Sequence, residues 1–167
     1  THLTCIDNVI AALAASGTRL ATAEMQRRAQ SLMAELGVAE YAERRAGTLA
    51  YGLQRRLEIA RALALEPRYL LLDEPAAGMN ETESDDLLGI LAGLRDSRGL
   101  GLLVVDHDLR LIMRLCDRVV VLNKGQVIAE GAPEEVQANP DVIEAYLGKR
   151  RAATKTAPHS TQGREEP

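Results

Sequence analysis

The sequence predicts an α/β fold, a parallel sheet flanked by helices and joined to a helical subdomain. Three observations point there. The chain up to Leu65 places its apolar residues at helical spacing; two later aliphatic runs are short, and a helix separates them; and a hairpin signal follows the second run. At 167 residues there is room for one domain, or for part of one.

Taken in order, Ile6, Val9, Ile10 and Leu13 recur at three- and four-residue steps, the stripe of a first helix. Met25, Ala29, Leu32, Met33 and Leu36 form a second stripe, and Gly37 stands where that helix would stop. Thr48 reads as the residue before a third helix, with Leu57, Ile59, Ala60 and Leu63 on its apolar face and Pro67 closing it. The period then changes. Tyr69 to Leu72 is a continuous aliphatic run ended by Asp73-Glu74-Pro75; a helix follows from about Glu81 to Arg95, and Leu102 to Val105 is a second run ending on Asp106-His107. Leu109 to Leu115 reads as helix. Arg118 to Leu122 and Val127 to Ala129 flank Asn123-Lys124-Gly125, a hairpin signal. Pro133 opens a short helix at its first turn, and Asp141 to Leu147 forms another. Alternating runs and helices predict a parallel sheet covered on both faces, with the hairpin as its antiparallel edge. From Gly148 onward Lys, Arg, Thr, Ser, Gln, Pro and Glu follow without periodicity, so residues 149–167 read as a disordered tail.

Composition removes several function classes. With 46% hydrophobic residues the chain can bury a core, but aromatics are 2%, which argues against a stacking platform for single-stranded nucleic acid or a sugar cleft. A net charge of -4 leaves no broad basic surface, and nucleic acid is not expected as a partner. The longest apolar run, Val9 to Ala15, falls far short of the roughly 20 residues of a membrane span. No signal peptide is read at the start of the chain, where His2, Cys5, Asp7 and Asn8 break any hydrophobic region. Cys5 and Cys116, far apart in apolar surroundings, fit a reducing compartment, so the chain reads as soluble and cytosolic.

Chemistry concentrates at the ends of the two aliphatic runs. In an open parallel sheet, ligands bind beyond the carboxyl ends of the strands. Asp73 and Glu74 emerge at that edge, where adjacent acids repel and call for a cation. A magnesium ion that keeps most of its waters suits the first, and the second can polarise an attacking water. An exposed acidic turn after a core strand is the plainer alternative. His107, thirty-three residues later and in step with Glu74 after its own strand, can touch a terminal phosphate or hold the water. Upstream, Leu49 to Arg56 leads into a helix. Gly52 at its start allows close backbone approach, and the free N–H groups favour phosphate, although an ordinary loop-to-helix junction reads the same way.

In this order and spacing the segments resemble the ATP-binding subunits of ABC transporters. Leu49 to Leu53 looks like the signature motif, Tyr69 to Glu74 like the Walker B strand, Ala77-Gly78-Met79-Asn80 like the D-loop, and His107 like the switch histidine. The stretches RRLEIARALALEP, LLLDEPAAGMN and NPDVIEAYLG are most similar to subunits importing branched-chain amino acids. The resemblance implies the C-terminal part of a P-loop NTPase-type ABC ATPase domain, without its P-loop portion. It implies ATP and Mg2+ as cofactors, with Asp73 on magnesium, Glu74 as general base and His107 on the γ-phosphate. Ala50, Tyr51, Gly52, Leu53 and Gly78 would face the ATP of a second ABC ATPase subunit, in a homo- or heterodimer. Residues 1–47 would belong to the helical subdomain that couples to membrane permease subunits, and residues 48–148 to the ATPase core. The subunit would sit in the cytoplasm, peripheral on the inner face of the cell membrane.

The departures are specific. The 167 residues contain no G-x-x-x-x-G-K-[ST], and the family's glutamine loop is missing as well. Ala50 stands where the family has serine, and Leu53 where it has glutamine. The chain by itself is therefore expected to be inactive. Two alternatives follow: a non-catalytic fragment that docks on a permease or a full-length ATPase, or an ABC ATPase for another cargo, such as lipopolysaccharide or urea.

Overall fold

In a computed structural model of the chain, helix α1 (Cys5–Ala15) starts at Thr4, whose Oγ1 accepts the Asp7 N–H at 3.2 Å and meets an otherwise orphaned helix donor. The structure describes residues 2–17 and 19–145, which divide after Leu115 into two units. The reading of 149–167 as a tail lies outside the described residues; so do Tyr146 and Leu147 of the last helix, whose residues 140–145 are helical.

In the first unit, α2 (Thr22–Glu35) ends at Gly37, which takes φ +67°, as a helix stop there requires. Helix α3 (Tyr51–Leu63) packs against α1 and α2. Cys5, Val9, Met33, Leu36 and Leu63 are each at most 2% exposed and form this core. Burial pushes the Cys5 thiol pKa up, so it is a packing residue and not a reactive one. Thr48 does not cap α3. It ends a 3-10 turn (Ala46–Thr48) with its Oγ1 on the Arg45 carbonyl at 2.8 Å, and the cap position falls to Ala50, which has no side chain to bond.

Strands β1 (Tyr69–Asp73) and β2 (Gly101–Val105) pair in parallel, with Tyr69 opposite Gly101 and Asp73 opposite Val105. Between them runs α4 (Glu81–Arg98), which ends at Arg98 and not at the expected Arg95. Its start is fixed twice: Asn80 Oδ1 accepts the Glu83 N–H at 2.9 Å, and Glu83 Oε2 accepts the Asn80 N–H at 3.0 Å. Such a cap contributes about 1 kcal/mol. Its far end is tied to α2, where the Arg98 guanidinium meets both Glu35 oxygens, Nη2 to Oε1 at 2.8 Å and Nε to Oε2 at 3.1 Å. Helix α5 (Leu109–Leu115) completes the unit and packs on α4.

The expectation of a sheet covered on both faces is corrected here. Register puts Tyr69, Leu71, Leu103 and Val105 on one face, and each is 59–70% exposed, whereas Leu70 on the other face is 6% exposed. The helices among the described residues cover one side of the pair only. The hairpin is corrected too. In the second unit, β3 (Val119–Asn123) and β4 (Gln126–Gly131) form a sheet of their own and are not the edge of the parallel pair. Lys124 and Gly125 both take positive φ, +49° and +79°, the two-residue turn whose twist matches the strands it joins. Helix α6 (Pro133–Gln137) follows, with Glu135 Oε2 accepting the Ala132 N–H at 3.0 Å.

Candidate functional site

Glu74 follows the last residue of β1 and turns sharply. Its φ is +45°, a conformation that costs a non-glycine residue on the order of 1 kcal/mol or more. Two backbone bonds hold it there: its N–H donates to the Val105 carbonyl at 2.8 Å, and its own carbonyl accepts the Ala77 N–H at 3.1 Å. The first of these ties the end of β1 to the end of β2, and that fixes what comes next on both strands. His107 leaves β2 at the same edge, and its Nδ1 lies 3.2 Å from Glu74 Oε1. The sequence therefore places the acid and the imidazole in step, and the fold brings them within hydrogen-bond reach. Both remain open to solvent, with 80% of the His107 side chain and 52% of the Glu74 side chain exposed.

Asp106, between β2 and His107, lies in the turn that leads to α5. One of its oxygens, Oδ1, accepts the Asp108 N–H at 2.9 Å, and Asp108 Oδ1 in turn accepts the Arg110 N–H at 2.9 Å. Asp73 ends β1 on the wall of a cavity of about 240 Å3 between α3 and β1, shared with Arg55, Glu58, Ile59 and Pro75. Among the described residues no three His, Cys, Asp or Glu side chains gather into a metal cage. A single strand-end carboxylate still fits an ion that keeps its waters and takes the rest of its oxygens from phosphate. It does not fit a cation caged by protein alone.

A second cluster forms at the start of α3. Arg55 stacks on the Tyr51 ring at 5.1 Å, and its Nε donates to the Tyr51 Oη at 3.0 Å while its Nη1 donates to Glu58 Oε2 at 2.8 Å. The bond to Glu58, and then the bond to Tyr51, raise the Arg55 pKa further, so the guanidinium is a fixed charge on the cavity wall. Gly78 takes φ +74°, and a methyl group there would stand 3.5 Å from the Tyr51 ring; one on Gly52 would stand 3.7 Å from the Met79 side chain. Ala50 to Leu53 and Ala77 to Asn80 thus touch within one chain. The structure assembles Glu74 with His107 and Tyr51 with Gly78; Asp73 shares its cavity with Arg55. Sequence reasoning assigned no role to Arg55 or Asp106. The only sequence signal for Asp106 is the Asp-His-Asp triplet, and for Arg55 its place one turn after Tyr51.

Among the described residues no helix is long and apolar enough to cross a membrane. The family described as ABC transporter matches residues 1–77, and the family described as branched-chain amino acid ATP-binding cassette transporter matches residues 126–152. The chain is 52% identical over 115 residues to the high-affinity branched-chain amino acid transport ATP-binding protein BraF of Pseudomonas aeruginosa, covering 69% of this chain and 45% of that protein. It is 47% identical over 131 residues to LivG, the protein of the same description from Salmonella typhimurium, covering 78% and 51%. To the lipopolysaccharide export system ATP-binding protein LptB of Escherichia coli it is 37% identical, covering 89% and 61%. The chain thus spans about half the length of the branched-chain relatives it matches. Among solved structures, the ADP conformation of MJ1267, an ATP-binding cassette of an ABC transporter, superimposes with a TM-score of 0.76 at 26% identity, covering 88% of this chain and 63% of that one. The dimeric post-hydrolysis state of the cassette MJ0796, bound to ADP and Pi, gives 0.70 at 26% identity, covering 78% and 57%.

Proposed function

Because the chain belongs to the ATP-binding subunits of ABC transporters, we propose that it is part of a subunit that hydrolyses ATP to drive the import of branched-chain amino acids. The observation that carries the reading is the Glu74–His107 pair, Oε1 to Nδ1 at 3.2 Å, at the ends of two adjacent parallel strands. In such a site Glu74 accepts the proton of the water that attacks the γ-phosphate, and His107 presents its remaining ring nitrogen to the phosphate. Asp73 would hold magnesium, which when bound neutralises charge on the phosphates. Ala50, Tyr51, Gly52 and Leu53, with Gly78 of the D-loop beside them, face the nucleotide of a second ATPase subunit; the dimeric cassette that shares this fold supports that pairing.

Residues 1–47 then carry the coupling to the permease subunits, residues 48–148 belong to the ATPase core, and the subunit works from the cytoplasmic, inner face of the membrane. The phosphate cradle comes from outside these 167 residues, which contain no G-x-x-x-x-G-K-[ST], so the chain by itself is inactive on this reading. The uncovered face of β1 and β2, in a chain half as long as its relatives, supports placing the remainder of the domain against it. The identities favour branched-chain amino acids over lipopolysaccharide as the cargo, 52% and 47% against 37%.

The magnesium assignment has its own test, made in a full-length protein that carries this chain. Asp73→Asn is expected to weaken ATP binding by about tenfold to a hundredfold with magnesium present, the scale of loss for disturbed metal sites. With a chelator present it should leave binding unchanged. Equilibrium titration with a fluorescent ATP analogue reads both. Equal affinity of the two proteins in magnesium would remove Asp73 from the metal site.

A further inference from the structure

His107 faces two carboxylates, and only one of them has been given work. The Nδ1 atom lies 3.2 Å from Glu74 Oε1 and 3.6 Å from Asp106 Oδ1. The second distance is longer than a hydrogen bond by a few tenths of an ångström, within the reach of a small ring rotation. The two acids differ in kind. The Glu74 side chain is half exposed, whereas the Asp106 side chain is 4% exposed and held in place by the Asp108 N–H at 2.9 Å. The other Asp106 oxygen, Oδ2, is buried and accepts from no donor among the described residues. A buried carboxylate with an unused acceptor is uncommon, and it calls for a donor nearby. Arg110, the closest guanidinium in sequence, is engaged by Glu81 at 2.8 Å and by Asp108 at 3.5 Å. His107 Nδ1 lies 3.6 Å from the other oxygen, Oδ1, and its N–H is the side-chain donor that the geometry offers to this carboxylate.

We propose that Asp106 is a positioning residue, a second acceptor that holds the His107 Nδ1–H when Glu74 turns to the attacking water. When Glu74 takes a proton from water its charge is neutralised, and its bond to the ring N–H loses the strength that the charge gave it. A ring held by Glu74 alone would be held less firmly at the moment of reaction. With Asp106 beside it, the Nδ1 proton stays on the ring and only its acceptor changes. The Nδ1 proton is then the same before and during the step, and Nε2 is left free to accept from the attacking water or, when protonated, to donate to a phosphate oxygen. The inference rests on the reading of Glu74 as the base, but the contacts it invokes exist without nucleotide.

The test therefore uses the 167-residue chain alone, with 15N-labelled histidine and no ATP. At about pH 8, where an ordinary imidazole is neutral, two-bond nitrogen–proton correlations report which ring nitrogen of His107 carries the proton. Wild type, Glu74→Ala and Asp106→Ser are each expected to stay mainly in the Nδ1–H form, because one acceptor remains in each. The double variant should go over to the Nε2–H form that a free imidazole prefers. Serine keeps an oxygen for the Asp108 N–H and is too short to reach the ring. Glu74→Ala leaves that turn untouched, so it decides alone if the serine variant fails to fold. A switch to Nε2–H in Glu74→Ala, or retention of Nδ1–H in the double variant, overturns the proposal. Either result leaves the hydrolytic role of Glu74 standing, since hydrolysis is measured separately.

Discussion

Glu74→Gln, made in a full-length protein carrying this chain, is expected to keep ATP binding and to lose about a hundredfold to ten-thousandfold in hydrolysis, the span for removal of a general base. The substitution is a clean one at this position. Glutamine is nearly isosteric, its Oε1 still accepts the His107 Nδ1–H now seen at 3.2 Å, and the backbone bonds that hold φ at +45° do not involve the side chain. What disappears is the capacity to take a proton from water. The loss should lie in the chemical step, so single-turnover release of phosphate falls while the dissociation constant for ATP stays within about twofold. A variant that hydrolyses at the parent rate in a single turnover would show that another group is the base.

Met33→Ala is the second large effect, and it concerns the three-helix core that positions the start of α3. Met33 is fully buried, among Val9, Leu36 and Leu63 in the same core. Truncation there removes dispersion contacts and leaves a cavity in a region that three helices cannot close, at about 2–5 kcal/mol. Leu71→Ala, on the uncovered face of β1 with 69% of the residue exposed, should stay within about 0.5 kcal/mol in this chain. Urea unfolding of the two variants separates them, with the m-value unchanged. A Met33→Ala midpoint equal to that of Leu71→Ala would mean that these helices are not packed as described.

Much of this was legible in the sequence, for reasons that differ by element. The stripes of α1 and α2, the stop at Gly37 and the Lys124-Gly125 turn depend on local periodicity and on φ preferences, which are written in neighbouring residues. The pairing of Glu74 with His107 was legible as well, since two strands ending on polar residues meet when the strands are parallel neighbours. Other features depended on tertiary context. Thr48 carries a capping side chain, yet its hydroxyl bonds backward to Arg45 and the helix starts after Ala50. An aliphatic run such as Tyr69 to Leu72 reads as buried on both faces, but what covers a strand is decided by other segments, and here Leu71 is left open. Asp106 looked like one more acid in a polar turn. Its burial, and the unused oxygen that goes with it, belong to the tertiary fold and not to any residue pattern.

The most direct measurement is made on a chimera in which residues 3–145 of this chain replace the matching segment of BraF, to which the chain is 52% identical over 115 residues. The remainder of the ATP-binding protein then comes from the relative, and the Asp73, Glu74, His107 and Ala50–Leu53 positions come from this chain. Magnesium-dependent phosphate release is expected within about tenfold of the parent protein, an allowance of some 1.4 kcal/mol for imperfect packing at the junctions. In the same chimera Glu74→Gln should drop to background. A folded chimera that binds ATP, yet releases phosphate no faster than its own Glu74→Gln form, would contradict the reading of this chain as the catalytic edge of an ATPase.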